Sequence, residues 1–69
     1  MDHGANNYRQ AYYAERTLKV FVEMSGCDVD ESMVNMLTAM MHHALVTNQD
    51  FIGASKQAAL MFDIETREN

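Results

Sequence analysis

Residues 28–47 have the sequence DVDESMVNMLTAMMHHALVT and show the clearest periodicity in the chain. Apolar side chains recur there every three or four residues, which is typical of an α-helix that buries one face. We therefore predict an amphipathic helix over residues 29–47. Its apolar stripe consists of Val29, Met33, Met36, Leu37, Met40, Met41, Ala44 and Leu45, and its solvent side of Glu31, Asn35, Thr38 and His42.

The residues before this helix predict its start and the end of the preceding helix. Asp28 and Glu31 have the spacing of a capping box, with Asp30 as an alternative cap. Gly26 stands where a helix commonly ends in a left-handed residue. The chain should therefore turn between a first helix over residues 6–25 and the second helix.

The first helix has an apolar arc wider than one packing partner requires. Glu15, Lys19 and Glu23 are spaced for i,i+4 ion pairs on its solvent side. Two apolar stripes lie side by side, one formed by Ala11, Ala14, Leu18, Phe21 and Val22 and the other by Tyr13, Val20 and Met24.

A third helix is predicted over residues 51–66, after a polar break in which Asn48 or Asp50 supplies the cap. Gly53 weakens the first turn, so a start near Ser55 is the alternative. The main apolar stripe consists of Phe51, Ala54, Ala58, Met61 and Phe62, with Leu60 and Ile64 on a separate side.

The predicted fold is a single all-α domain over residues 1–69, either a helical hairpin or a three-helix unit. A core in a chain of 69 residues supplies little stability, roughly 3–5 kcal/mol. Cys27 is the only cysteine, which rules out an internal disulfide and a zinc site of several cysteines. We therefore expect two copies to form a homodimeric helical bundle.

Charge and hydropathy exclude several classes of protein. Residues 1–26 are neutral, so the net charge of −5 belongs to residues 27–69, which would repel nucleic acid. We expect no membrane span, no secretory signal and, from the free Cys27, a cytoplasmic location.

No residue pattern predicts an active site, a cofactor or a metal, so we expect no enzyme. His42 and His43 are adjacent and point about 100° apart on a helix, so they cannot chelate one ion. They either sit at the helix end or make an interface sensitive to mild acid. Cys27 precedes Asp28, which opposes a thiolate, and we expect it to be a buried or half-buried packing residue.

Two sets of residues are candidates for binding another protein. Tyrosine and arginine are common in interface hot spots, and Tyr8, Arg9, Tyr12, Tyr13 and Arg16 cluster in the first helix. Met36, Met40 and Met41 suit an adaptable groove, although a buried core or a dimer seam is the simpler interpretation.

The sequence thus favours a protein-interaction module, a regulator or adaptor that binds itself and an unidentified larger protein. One alternative is an acidic mimic of nucleic acid, formed if Asp28, Asp30, Glu31, Asp50, Asp63 and Glu65 share one surface. The other is a helix-turn-helix DNA binder, whose recognition helix would offer only Lys56 and Gln57.

Overall fold

The chain folds into three α-helices, as the sequence predicts. The computed structural model describes the backbone of residues 3–67 and the side chains of residues 6–67; residues 1–2 and 68–69 of the predicted domain lie outside that range. Helix α1 spans His3–Ser25, α2 spans Ser32–Thr47 and α3 spans Phe51–Arg67, and no strand occurs in this range. The all-α fold class is confirmed, with helix bounds within three residues of those predicted.

Helix α1 ends at the predicted glycine. Gly26 adopts a φ of 75°, and its amide donates a 2.8 Å hydrogen bond to the carbonyl of Val22. A left-handed residue of this kind closes a helix end by satisfying a free carbonyl. No other atom approaches the position that a Cβ would occupy, so the backbone angle alone favours glycine here.

The start of α2 differs from the prediction. Residues Val29–Glu31 form a 3-10 turn, and the α-helix begins only at Ser32. Neither Asp28 nor Glu31 makes a side-chain cap, so the predicted capping box is wrong. The 3-10 turn explains this, because the amide of Glu31 donates to the backbone carbonyl of Asp28 at 3.1 Å and leaves less for a side chain to satisfy.

The two predicted cap residues in the turn between α2 and α3 have different roles: Asn48 ends α2 and Asp50 caps α3. Asn48, with a φ of 60°, ends α2 in the left-handed region. The Oδ1 of Asp50 accepts a 3.0 Å hydrogen bond from the amide of Gly53 and caps α3. Helix α3 therefore begins at Phe51, and the alternative start near Ser55 is wrong.

Packing among the helices produces a very small core. Helix α1 packs along α2, and α3 touches both. Of the described side chains only Ala44 and Ser32 are buried, each at 7% exposure. A surrounding set is half-buried: Leu18, Phe21, Val22, Cys27, Asn35, Met36, Ala39 and Phe51. The expected half-burial of Cys27 is confirmed.

The buried face of α2 overlaps only in part with the face that the apolar periodicity indicates: Ala44 and Met36 of the predicted stripe are buried and half-buried, but other positions differ. Ser32 is buried, and Asn35, expected on the solvent side, is half-buried beside Met36 and Ala39. Ser32 lines a depression together with Ala14 and Leu18 of α1. Most of the predicted apolar stripe remains exposed.

The solvent sides of the helices have few charge contacts. The predicted Glu15–Lys19 and Lys19–Glu23 ion pairs do not form; within residues 6–67 the only ion pair joins Arg67 to Asp63 at 2.5 Å. Both partners are largely exposed, and such pairs contribute little to stability. None of the helices in the described range combines the length and the hydrophobicity needed to cross a bilayer.

Candidate protein-binding surfaces

Five exposed apolar side chains of α2 lie along one side of the helix. We name this set the α2 stripe: Met33, Leu37, Met40, Met41 and Leu45, with exposed fractions of 65%, 46%, 47%, 51% and 81%. Their spacing of three, four and one residues places them on one face. Helix α2 contains no aspartate, glutamate, lysine or arginine. A charge-free helix with its apolar side in solvent is unusual for a chain that stands alone.

A shallow apolar groove runs along the α1–α2 contact and adjoins the α2 stripe, since Met33, Leu37 and Met40 also line it. We name it the Met36 groove, because Met36 lines all three of its depressions, of about 420, 460 and 270 Å³. Tyr13, Thr17 and Phe21 form its α1 wall at i,i+4 spacing, and Met40 continues it on α2. At the α3 end it reaches His43, Phe51 and Ala54.

Tyr12, Tyr13 and Arg16 form a second surface on α1, which we name the Tyr12–Arg16 cluster and which borders the Met36 groove through Tyr13 and Arg16. The Nη1 of Arg16 donates a 2.9 Å hydrogen bond to the hydroxyl of Tyr12, and the guanidinium carbon lies 5.8 Å from the Tyr12 ring centroid. The Tyr12 and Tyr13 rings are 6.3 Å apart and tilted by 56°. The cluster therefore presents two aromatic rings with a cation held against one of them.

The structure divides the eight predicted site residues among these surfaces. Tyr13, Arg16, Met36 and Met40 line the Met36 groove. Met41 belongs to the α2 stripe and touches none of the three depressions. Arg9 and Tyr12 are exposed on α1 with Tyr8, whose exposed fraction is 80%. Of the two simpler interpretations of the methionines, a core within one chain is wrong for Met40 and Met41, which are about half exposed, and a dimer seam stays a prediction.

Sequence reasoning missed other apolar residues of these surfaces. Leu37 and Leu45 were assigned to a packing stripe but are 46% and 81% exposed, and Phe21 and Thr17 line the groove. The i,i+4 series Tyr13–Thr17–Phe21 is the signal that could have indicated the groove wall. Helix α3 adds exposed apolar residues of its own: Ile52, Leu60, Met61, Phe62 and Ile64.

The described residues hold few groups for chemistry. Within this part of the chain, no three His, Cys, Asp or Glu side chains are close enough to hold a metal ion. His42 is exposed on α2, and His43 lines the α3 end of the Met36 groove. The backbone amide of Cys27 donates a 3.2 Å hydrogen bond to the Oγ of Ser25, an arrangement that ties down the turn.

The acidic side chains are spread over separate ends of the molecule. Asp28, Asp30 and Glu31 stand at the start of α2, whereas Asp50 lies beyond its last residue. The 16 residues of α2 separate the two positions by about 24 Å. Asp63, farther along α3, is engaged by Arg67. The six acidic residues of the predicted mimic surface are thus distributed over both ends of α2 and along α3.

The connection between α2 and α3 has the length of a helix-turn-helix. Three residues, 48–50, join the two helices. Helix α3 offers Lys56 on its exposed surface, while its other cation, Arg67, is paired with Asp63. No protein-family model, curated protein or solved structure matches the chain.

Proposed function

We propose that this chain is a small protein-interaction module, a cytoplasmic regulator or adaptor that binds a larger protein. The main support for the proposal is that the chain contains many hydrophobic residues but buries very few of them. Nearly half of the residues are hydrophobic, at 48%, yet among those described only Ala44 and Ser32 are buried. Exposed apolar surface on this scale marks sites of contact with other chains.

The Tyr12–Arg16 cluster is the surface that we assign to the larger protein. Tyr12 and Tyr13 are 52% and 54% exposed, and Tyr8, one turn earlier, is 80% exposed. Tyrosine and arginine bury large areas with few rotatable bonds, which is why they are common in hot spots. The hydrogen bond between Arg16 and Tyr12 holds both side chains in place before binding and lowers the entropy that binding costs.

The charge of the chain supports a protein partner over a nucleic acid. The net charge is −5, and Arg67, one of only two basic residues after position 26, is paired with Asp63. A phosphate backbone needs several free lysines or arginines on one face. The free thiol of Cys27 suits a reducing compartment and supports the cytoplasmic placement.

Site-specific photocrosslinking in cells that express the chain natively tests the proposal. A photoreactive phenylalanine analogue replaces Tyr12 in one strain and Gln57, an exposed residue of α3, in a control strain. The proposal predicts a discrete adduct, larger than two copies of the chain, at position 12 and not at position 57. Equal, diffuse labelling at both positions, or no adduct at position 12, would contradict it.

A further inference from the structure

We infer that a second copy of this chain covers the α2 stripe, so that two α2 helices pack against each other about a two-fold axis. The inference concerns a surface other than the Tyr12–Arg16 cluster and stands without the larger partner. Three observations support it: the surface area of one chain, the absence of charge on α2, and the position of the stripe.

One chain exposes more surface than a compact protein of its mass. Its accessible surface is 6033 Å², whereas a folded monomer of 7.9 kDa exposes about 4,400 Å². The Cα radius of gyration is 14.0 Å, against about 11 Å for a compact domain of this length. The surplus, summed over all surfaces of the chain, is about 1,600 Å², so the chain has enough excess area to supply one subunit's share of an obligate dimer interface.

The absence of charge on α2 favours a second copy over a different protein. About a two-fold axis the same patch meets itself, so any charge near the axis faces a like charge. Two chains of net charge −5 repel each other overall, and α2, which has no Asp, Glu, Lys or Arg, adds no like-charge contact at such an axis. A surface for a different, charged partner would carry complementary charges, and the α2 stripe has none.

The position of the stripe fits an antiparallel pair of α2 helices. Met33 and Leu45 lie 12 residues apart, so the stripe is about 18 Å long and its midpoint along the helix axis is level with residue 39. An axis at that midpoint places Leu37 of one copy opposite Met41 of the other. Both residues are about half exposed in the single chain, at 46% and 51%, and the pairing would cover both.

Sedimentation equilibrium of the purified, reduced chain tests the inference. The expected mass is twice 7.9 kDa at every chain concentration from about 10 to 200 μM, because an obligate dimer has no stable folded monomer. Leu37→Glu should weaken the dimer at least about 100-fold, because it buries an unpaired charge. The matched control is Ile52→Glu, which introduces the same charge in place of an exposed apolar side chain in the first turn of α3. This variant should remain dimeric.

A charge-exchange experiment separates loss of the interface from loss of folding. Leu37→Glu with Met41→Glu, and Leu37→Lys with Met41→Lys, should each give monomers. Mixed in equal amounts they should form a heterodimer of twice the mass, since every glutamate then faces a lysine. A monomeric wild-type chain at 200 μM, a dimer indifferent to Leu37→Glu, or a mixture that stays monomeric would overturn the inference.

Discussion

The Oδ1 of Asp50 accepts a 3.0 Å hydrogen bond from the amide of Gly53, and its carboxylate fills the space that a side chain at position 53 would need. A Cβ on residue 53 would lie 3.0 Å from Cγ of Asp50 and closer still to Oδ2. The cap of α3 thus depends on both the carboxylate at position 50 and the missing side chain at position 53.

We predict that Asp50→Ala and Gly53→Ala have non-additive effects on stability. Asp50→Ala should cost about 1 kcal/mol through loss of the cap. Alanine stabilises a helix by roughly 1 kcal/mol relative to glycine. Gly53→Ala alone should show little of this stabilisation, because the new Cβ displaces the carboxylate of Asp50 from its capping position. In the Asp50→Ala background the same substitution should show the full gain. Urea unfolding of all four chains at one protein concentration checks this, and additive effects would refute the coupling.

Gly26→Ala should destabilise the fold by about 1 kcal/mol, because alanine is strained in the left-handed conformation. Nothing surrounds the new methyl group, so the effect comes from the backbone angle alone. Asn48→Gly is the contrasting variant, since its φ of 60° favours glycine and the change should be neutral or stabilising. Thermal unfolding of both variants at matched concentration gives the answer; equal stability of Gly26→Ala and wild type would argue against a strained helix end.

Oxidation of methionine should dissociate the dimer. Sulfoxide formation turns the exposed thioethers of Met33, Met40 and Met41 into polar groups that an apolar seam does not accommodate. After mild peroxide treatment we expect a monomer by light scattering, and return of the dimer on enzymatic reduction. A chain with leucine at these three positions has similar apolar volume and should remain dimeric after peroxide. Dissociation of that control would place the sensitive group outside the α2 stripe.

The helices were predictable because their boundaries depend on local chemistry. Gly26 and Asp50 act within a few residues of themselves, and both roles follow from the sequence. The capping box failed for an equally local reason, since a 3-10 turn over Val29–Glu31 competes with it and neither spacing nor residue type distinguishes the two.

The packed face of α2 was not predictable, because it depends on the shape of α1. Periodicity identifies the apolar side of a helix but not the chain that covers it. Ser32 is buried and Asn35 and Ala39 are half-buried, whereas Leu37 on the predicted apolar side is 46% exposed. Of the predicted site residues, Tyr13, Arg16, Met36 and Met40 share the groove because of that packing, which no pattern within one helix encodes.

The shielding of methionine methyl groups tests the central claim most directly. Met41 on α2 and Met61 on α3 are equally exposed in a single chain, at 51% and 52%. The measurement is a methyl NMR spectrum recorded with a soluble paramagnetic agent, which enhances the relaxation of exposed methyl groups. At 200 μM chain we expect strong enhancement for Met61 and weak enhancement for Met41. On dilution, as the dimer dissociates, the enhancement for Met41 should rise. Equal enhancement of the two methyl groups at every concentration would show that no second chain covers the α2 stripe.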